Sequence, residues 1–158
     1  MTWATLATAV AAGAMGGVFL AFSSFVMPAL GDLPPAQGIA AMQSVNRAAV
    51  TPVFMTALLG TALGCVVLCV AAARSWNEPS SGRRLAGGLT YLAGVIAMTI
   101  AFHVPRNDRL AEIAPGDPGA SGHWDDYLSQ WTAGNHVRAI AGLAAAALLA
   151  DALRVGAE

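Results

Sequence analysis

Four stretches of this chain are apolar enough, over a long enough run, to cross a bilayer. They extend from about Trp3 to Met27, Pro52 to Ala73, Leu85 to Val104 and Trp131 to Asp151. A spanning helix needs about 20 apolar residues, because the hydrocarbon core is roughly 30 Å thick and a helix rises about 1.5 Å per residue. The composition agrees. Hydrophobic residues make up 56% of the 158, charged residues only 11%, and the mean hydropathy is +0.60. That is the profile of a membrane protein. The expected fold is all-α, one integral membrane four-helix bundle over residues 1–158. The first span has no basic stretch before it and reads as a retained helix, not a cleaved leader.

The same composition removes other classes. All eight basic residues are arginine and the net charge is −1, so no basic face exists to collect phosphates and nucleic acid is not an expected partner. The expected partner is the lipid bilayer itself, and a homo-oligomer is compatible with the sequence. Cys65 and Cys69 fall inside the second span, where helix packing is the expected role. Glycine pairs at four-residue spacing, Gly13 with Gly17 and Gly60 with Gly64, predict close helix contacts.

The connections differ in character. Between spans one and two, Pro34 and Pro35 can open a short interfacial helix, with Ile39, Met42 and Val45 on one side. That helix delivers Asn46 and Arg47 to the top of span two. The turn "RSWNEPSSGRR" is plain and polar. The third connection reads as a long outer loop from Pro105 to about Asp126, because Pro105 disfavours helix at Val104.

Chemistry gathers at one end. Trp124, Tyr127, Trp131, Asn135 and Arg138 are separated by three, four, four and three residues, so they line one stripe of an extended fourth helix. Arg138 lies roughly 10 Å deeper than Trp131 at 1.5 Å per residue. A charge at that depth costs several kcal/mol and marks a paired or functional position. His103, Arg106, Asn107 and Asp108 arrive at the same end of span three, with Asp108 a natural partner for Arg106 or Arg138. An aromatic shelf above an amide and a guanidinium suits a small planar aromatic molecule bearing oxygen.

Three segments carry a resemblance. "QSVNRAAVTPVFM", "FHVPRNDRL" and "WDDYLSQWTAGNHVRA" resemble the matching parts of the anthrone oxygenase-like family of small four-helix membrane proteins. The likeness covers most of the chain, from the first helix ("FSSFVMPAL") to the start of the last. The family's polar pattern falls on Asn46, Arg47, Pro105, Asn107, Trp124, Tyr127, Trp131, Asn135 and Arg138. His103 stands where the family's familiar Asn-x-Pro-x-Asn run has its first Asn. The resemblance implies oxidation of an anthrone-like substrate with O2.

The expected mechanism is proton removal from a planar hydroxyaromatic, giving an electron-rich anion that reacts with O2 without an organic cofactor. His103 or His136 is the candidate base, with Asp108 behind them. Arg106, Arg138, Asn107 and Asn135 would hold the oxyanion, and Trp124, Tyr127 and Trp131 would stack on the ring. One alternative is a haem or metal protein using His103 and His136 as an axial pair. The other is a non-enzymatic small-molecule or lipid binder, or a transporter component.

Arg74, Arg83 and Arg84 on the short turn predict that it and both termini face the cytoplasm of the cytoplasmic membrane, with the polar end outside. Reporter fusions at Asn77 and Gly119 should therefore report opposite sides, with Gly119 extracytoplasmic. A cytoplasmic Gly119 would reverse the orientation.

Overall fold

A computed structural model describes residues 1–156. It contains five continuous helices: α1 (Thr2–Gly31), α2 (Pro35–Ala49), α3 (Pro52–Arg74), α4 (Ser81–Ala111) and α5 (Ala120–Val155). All but α2 are long and apolar enough to cross a membrane. The all-helical expectation holds, as does the short helix between the first two spans. In α2, Ile39 and Met42 are buried and Val45 packs beside them, as their spacing requires.

The helix ends depart from expectation at the prolines. Val104 is helical and α4 runs on to Ala111, so the third connection shrinks to eight residues, 112–119. The reason is a widened turn. Thr99–His103 is π-helical, and the N–H of Val104 bonds to the Thr99 carbonyl five residues back. Pro105 then follows a turn wide enough for its ring. α1 repeats the device: Phe22–Val26 is π-helical, the N–H of Met27 bonds to the Phe22 carbonyl, and Pro28 follows. Proline thus extends both helices past their expected ends. Gly119, with φ of 89°, supplies the left-handed residue that starts α5.

α5 is the central element. Its 36 residues span about 54 Å at 1.5 Å per residue, so it outruns the hydrocarbon and supports α2 with its first turns. Its most extensive neighbour is α1, where the backbones come close enough that a Cβ on Gly142 would lie 2.8 Å from the Gly16 Cα. Gly88 meets the Cys69 sulfur and the Cys65 carbonyl in the same way, so both cysteines are packing residues. The expected pairs were only partly right. Gly64 meets Thr8, but Gly60 and Gly17 face open space.

Arg83–Asp151, Arg84–Glu78 and Arg154–Asp151 are the ion pairs among the described residues, and all three lie at the arginine-turn end. Trp3 and Trp76, at that same end, are exposed and suit a membrane-interface belt.

Gly142→Val should force α1 and α5 apart and cost about 1–3 kcal/mol, whereas Gly60→Leu should be nearly neutral. Thermal melts in detergent would separate them. Equal losses would show that the α1–α5 contact is not tight.

Candidate functional site

At the end away from the ion pairs, the site is built in three layers. The top layer is α2 packed on the start of α5. Trp124 is only 1% exposed and stacks on Tyr127, with centroids 5.8 Å apart and planes 15° apart. Gly38 leaves room for it, since a Cβ there would sit 2.8 Å from the indole. Gln43 ties α2 down by donating from Nε2 to the Leu110 and Ile113 carbonyls at 2.8 and 2.9 Å. The aromatic shelf expected to face a ligand is therefore filled by Met27, Ile39 and Met42.

The middle layer turns on Asn107. Its Oδ1 accepts from the Tyr127 hydroxyl at 2.9 Å and from Trp131 Nε1 at 3.0 Å, while Asn46 Nδ2 donates to the same hydroxyl at 3.5 Å. Both ring donors would be orphaned without this oxygen. Arg106 lies over the Phe102 ring at 3.5 Å and donates to Gln130 and the Phe102 carbonyl. Beside this layer is a cleft of about 190 Å³ lined by Arg106, Arg109, Tyr127 and Gln130, among others.

The deepest layer holds Arg138, 6% exposed. Its guanidinium lies 4.5 Å from the Phe19 ring centroid and 5.0 Å from that of Trp131. Nη2 donates to Asn135 Oδ1 at 2.7 Å and Nη1 to Thr99 Oγ1 at 3.4 Å. Asn135 Nδ2 in turn donates to the Phe19 carbonyl at 2.6 Å and to Ser23 Oγ at 2.7 Å. His103 is also buried, edge-on to Trp131 at 5.0 Å. Gly134 makes room for Phe102 and His103. Neither ring nitrogen of His103 has a hydrogen-bond partner, and neither does Arg138 Nε.

Asn46, His103, Asn107, Tyr127, Trp131, Asn135 and Arg138 thus come together, with Trp124 above and Arg106 alongside. Three expected members do not join them. Asp108 is exposed and makes no ion pair or hydrogen bond among the described residues. It points off the extended α4 and not back over the bundle, so Arg138 is partnered by Asn135 instead. Arg47 is exposed at the end of α2. His136 is exposed in a separate groove with Pro28, Leu128 and Thr132, on another face of α5, so the two histidines are not brought together. No three His, Cys, Asp or Glu side chains among the described residues converge to hold a metal ion.

Phe19, Ser23, Gln43, Thr99 and Gly134 were missed. Ser23 and Thr99 are hydroxyls inside apolar spans, which was the available signal.

Asn107→Ala should leave the Tyr127 and Trp131 donors unpaired at about 1–3 kcal/mol, while Asn107→Asp keeps the acceptor and should melt near the parent. Detergent melts followed by tryptophan fluorescence would show it. Equal melting of all three would mean the donors find water.

A family model described as anthrone oxygenase matches residues 51–148. No curated protein and no solved structure matches the chain. The matched residues include all of α3 and α4 and α5 up to residue 148, and with them His103, Asn107, Trp124, Tyr127, Trp131, Asn135 and Arg138. A match over more than half the chain, taking in the centre of this site, means that the protein belongs to the anthrone oxygenase family.

Proposed function

We propose that the protein is a membrane-embedded oxygenase acting with O2 on a planar, acidic hydroxyaromatic of the anthrone kind, bound around Arg138 and His103. One observation carries the reading. A buried guanidinium has no carboxylate partner among the described residues, and beside it sits a buried imidazole with both nitrogens unused. An isolated buried cation asks for an anionic oxygen.

His103 would take a proton from the ring CH2, and the charge would settle on the ring oxygen facing Arg138. The carbanion carbon would add O2. Cleavage of the O–O bond with loss of the second C–H hydrogen would leave a carbonyl and release water. One oxygen atom goes to carbon and the other to water, so no further oxidant is needed. Asp108 and His136 have no part in this scheme.

Ligand sites usually enclose roughly 300–1,000 Å³, more than the cleft beside Asn107 offers, so admission requires α2 to shift. In the orientation expected from the arginine turn, this end faces out of the cytoplasm. The same unneutralised guanidinium supports a second reading equally, a reversible binder or transport component that performs no oxidation.

Oxygen uptake by purified protein with a hydroxyanthrone tests the first reading. Arg138→Lys should lose most turnover, because lysine lacks the planar fork, and His103→Gln should slow it about a hundredfold. Arg154→Lys at the opposite end should match the parent. Uptake no faster than the spontaneous reaction would sink the oxygenase and leave the binder. A visible absorption spectrum of the same sample checks for haem at His103.

A further inference from the structure

Asn135 is fully buried, and both its amide nitrogen and its oxygen are engaged within the bundle. The Phe19 carbonyl can only accept, and it receives Asn135 Nδ2 at 2.6 Å. That contact fixes which way the amide faces. Oδ1 must then point to Arg138 Nη2, 2.7 Å away, and Ser23 Oγ braces the same Nδ2 from α1. An amide so engaged has no free group to offer a substrate. Its effect reaches a ligand through Arg138.

The choice of amide matters because of its charge. Aspartate has almost the same shape as asparagine and would meet the guanidinium at the same place, although its second oxygen would face the Phe19 carbonyl with no hydrogen to donate. It would pair with Arg138 and remove the positive charge from the interior. Asparagine orients the guanidinium through one hydrogen bond and leaves its charge uncancelled. The remaining contacts, Thr99 and the Phe19 and Trp131 rings, are neutral as well.

We infer that Asn135 is a positioning residue whose neutrality sets the site's preference for a negatively charged oxygen over a neutral one. The inference rests on the proposed ligand chemistry at Arg138 but not on any oxidation there.

Two planar probes of one ring system read this directly: anthracene-carboxylate, an anion at neutral pH, and anthracene-methanol, which is neutral. Binding of each to the full-length protein in detergent is measured by probe fluorescence. The parent should prefer the carboxylate. Asn135→Asp should weaken carboxylate binding about tenfold or more, the scale of one charged hydrogen bond, while the alcohol binds as before. Thr99→Asp brings a carboxylate to the other side of Arg138 with the Asn135 clamp intact. It should abolish the preference too, and it serves if Asn135→Asp fails to fold. A parent that binds neither probe or prefers neither overturns the inference, and so does a folded variant that keeps the parent's preference. Oxygen uptake with the hydroxyanthrone judges the oxygenase reading separately. A charge preference lost in both variants, in a protein that takes up no oxygen, keeps this inference and removes the enzyme.

Discussion

One cation placed inside the bundle governs the arrangement of everything near it. A charge at hydrocarbon depth costs several kcal/mol even by the milder scales, and Arg138 meets that cost without a carboxylate. Two ring faces, from Phe19 on α1 and Trp131 on α5, present their negative quadrupoles to the guanidinium. An amide oxygen and a hydroxyl take two of its nitrogens. The carboxylates that do form ion pairs, Glu78 and Asp151, are committed at the far end of the helices. The charge is thus solvated by the protein but not neutralised.

That solvation depends on irregular backbone. The π turns at Phe22–Val26 and Thr99–His103 flank the site from α1 and α4, and such turns concentrate where helices do something other than pack. Ser23 and Thr99, which serve Asn135 and Arg138, lie within these two turns. The carbonyl that orients Asn135 belongs to Phe19, in the last regular turn before the first of them. A proline follows each of these two turns, unlike the π-helical stretch Leu92–Ala97 earlier in α4, so the two helices reach beyond the site and Asn107 can sit on ordered helix and not on a loop.

How much of this could be read in advance follows from which rules are local. The stripe from Trp124 to Arg138 was legible because three-and-four spacing survives any packing, and the depth of Arg138 followed from counting residues. The same counting, at about 100° per residue, sets His136 off that stripe, which the choice of His136 as a candidate base overlooked, and the structure leaves it outside. Val104 was misread because the proline rule assumes regular α geometry, and no sequence rule announced the wider turn. The expected pairing of Asp108 with Arg106 or Arg138 depended on the helix ending before it, and α4 instead runs on to Ala111. Gly60 fails for a different reason: it shares a face with Gly64, but α1 comes close only at Gly64, through Thr8, and spacing does not say how far along a face two helices stay in contact. The aromatic shelf was correctly composed and wrongly left open. The apolar side of α2 was visible in Ile39 and Met42, but its landing place on Trp124 is a long-range contact that spacing cannot reveal.

The closed layer and the buried charge are physically one arrangement. Two unit charges 4 Å apart interact by about 1 kcal/mol in bulk water and about 4 kcal/mol at an effective dielectric near 20. The guanidinium therefore gains its grip on an anion from whatever keeps water away, and here that is Trp124, Tyr127 and Trp131 packed under α2. The polar links that hold α2 down, two from Gln43 and one from Asn46, are each worth about 0.5–1.5 kcal/mol net. Their sum is a few kcal/mol, within the range at which parts of a folded protein open locally. A ligand that displaces α2 forfeits the water-excluding cover unless it restores one of its own. Under the proposed reading a flat apolar ring bearing a single charged oxygen would do both, the ring refilling the space beside Trp131 and the oxygen meeting Arg138. A small inorganic anion would reach the charge only by letting water in behind it.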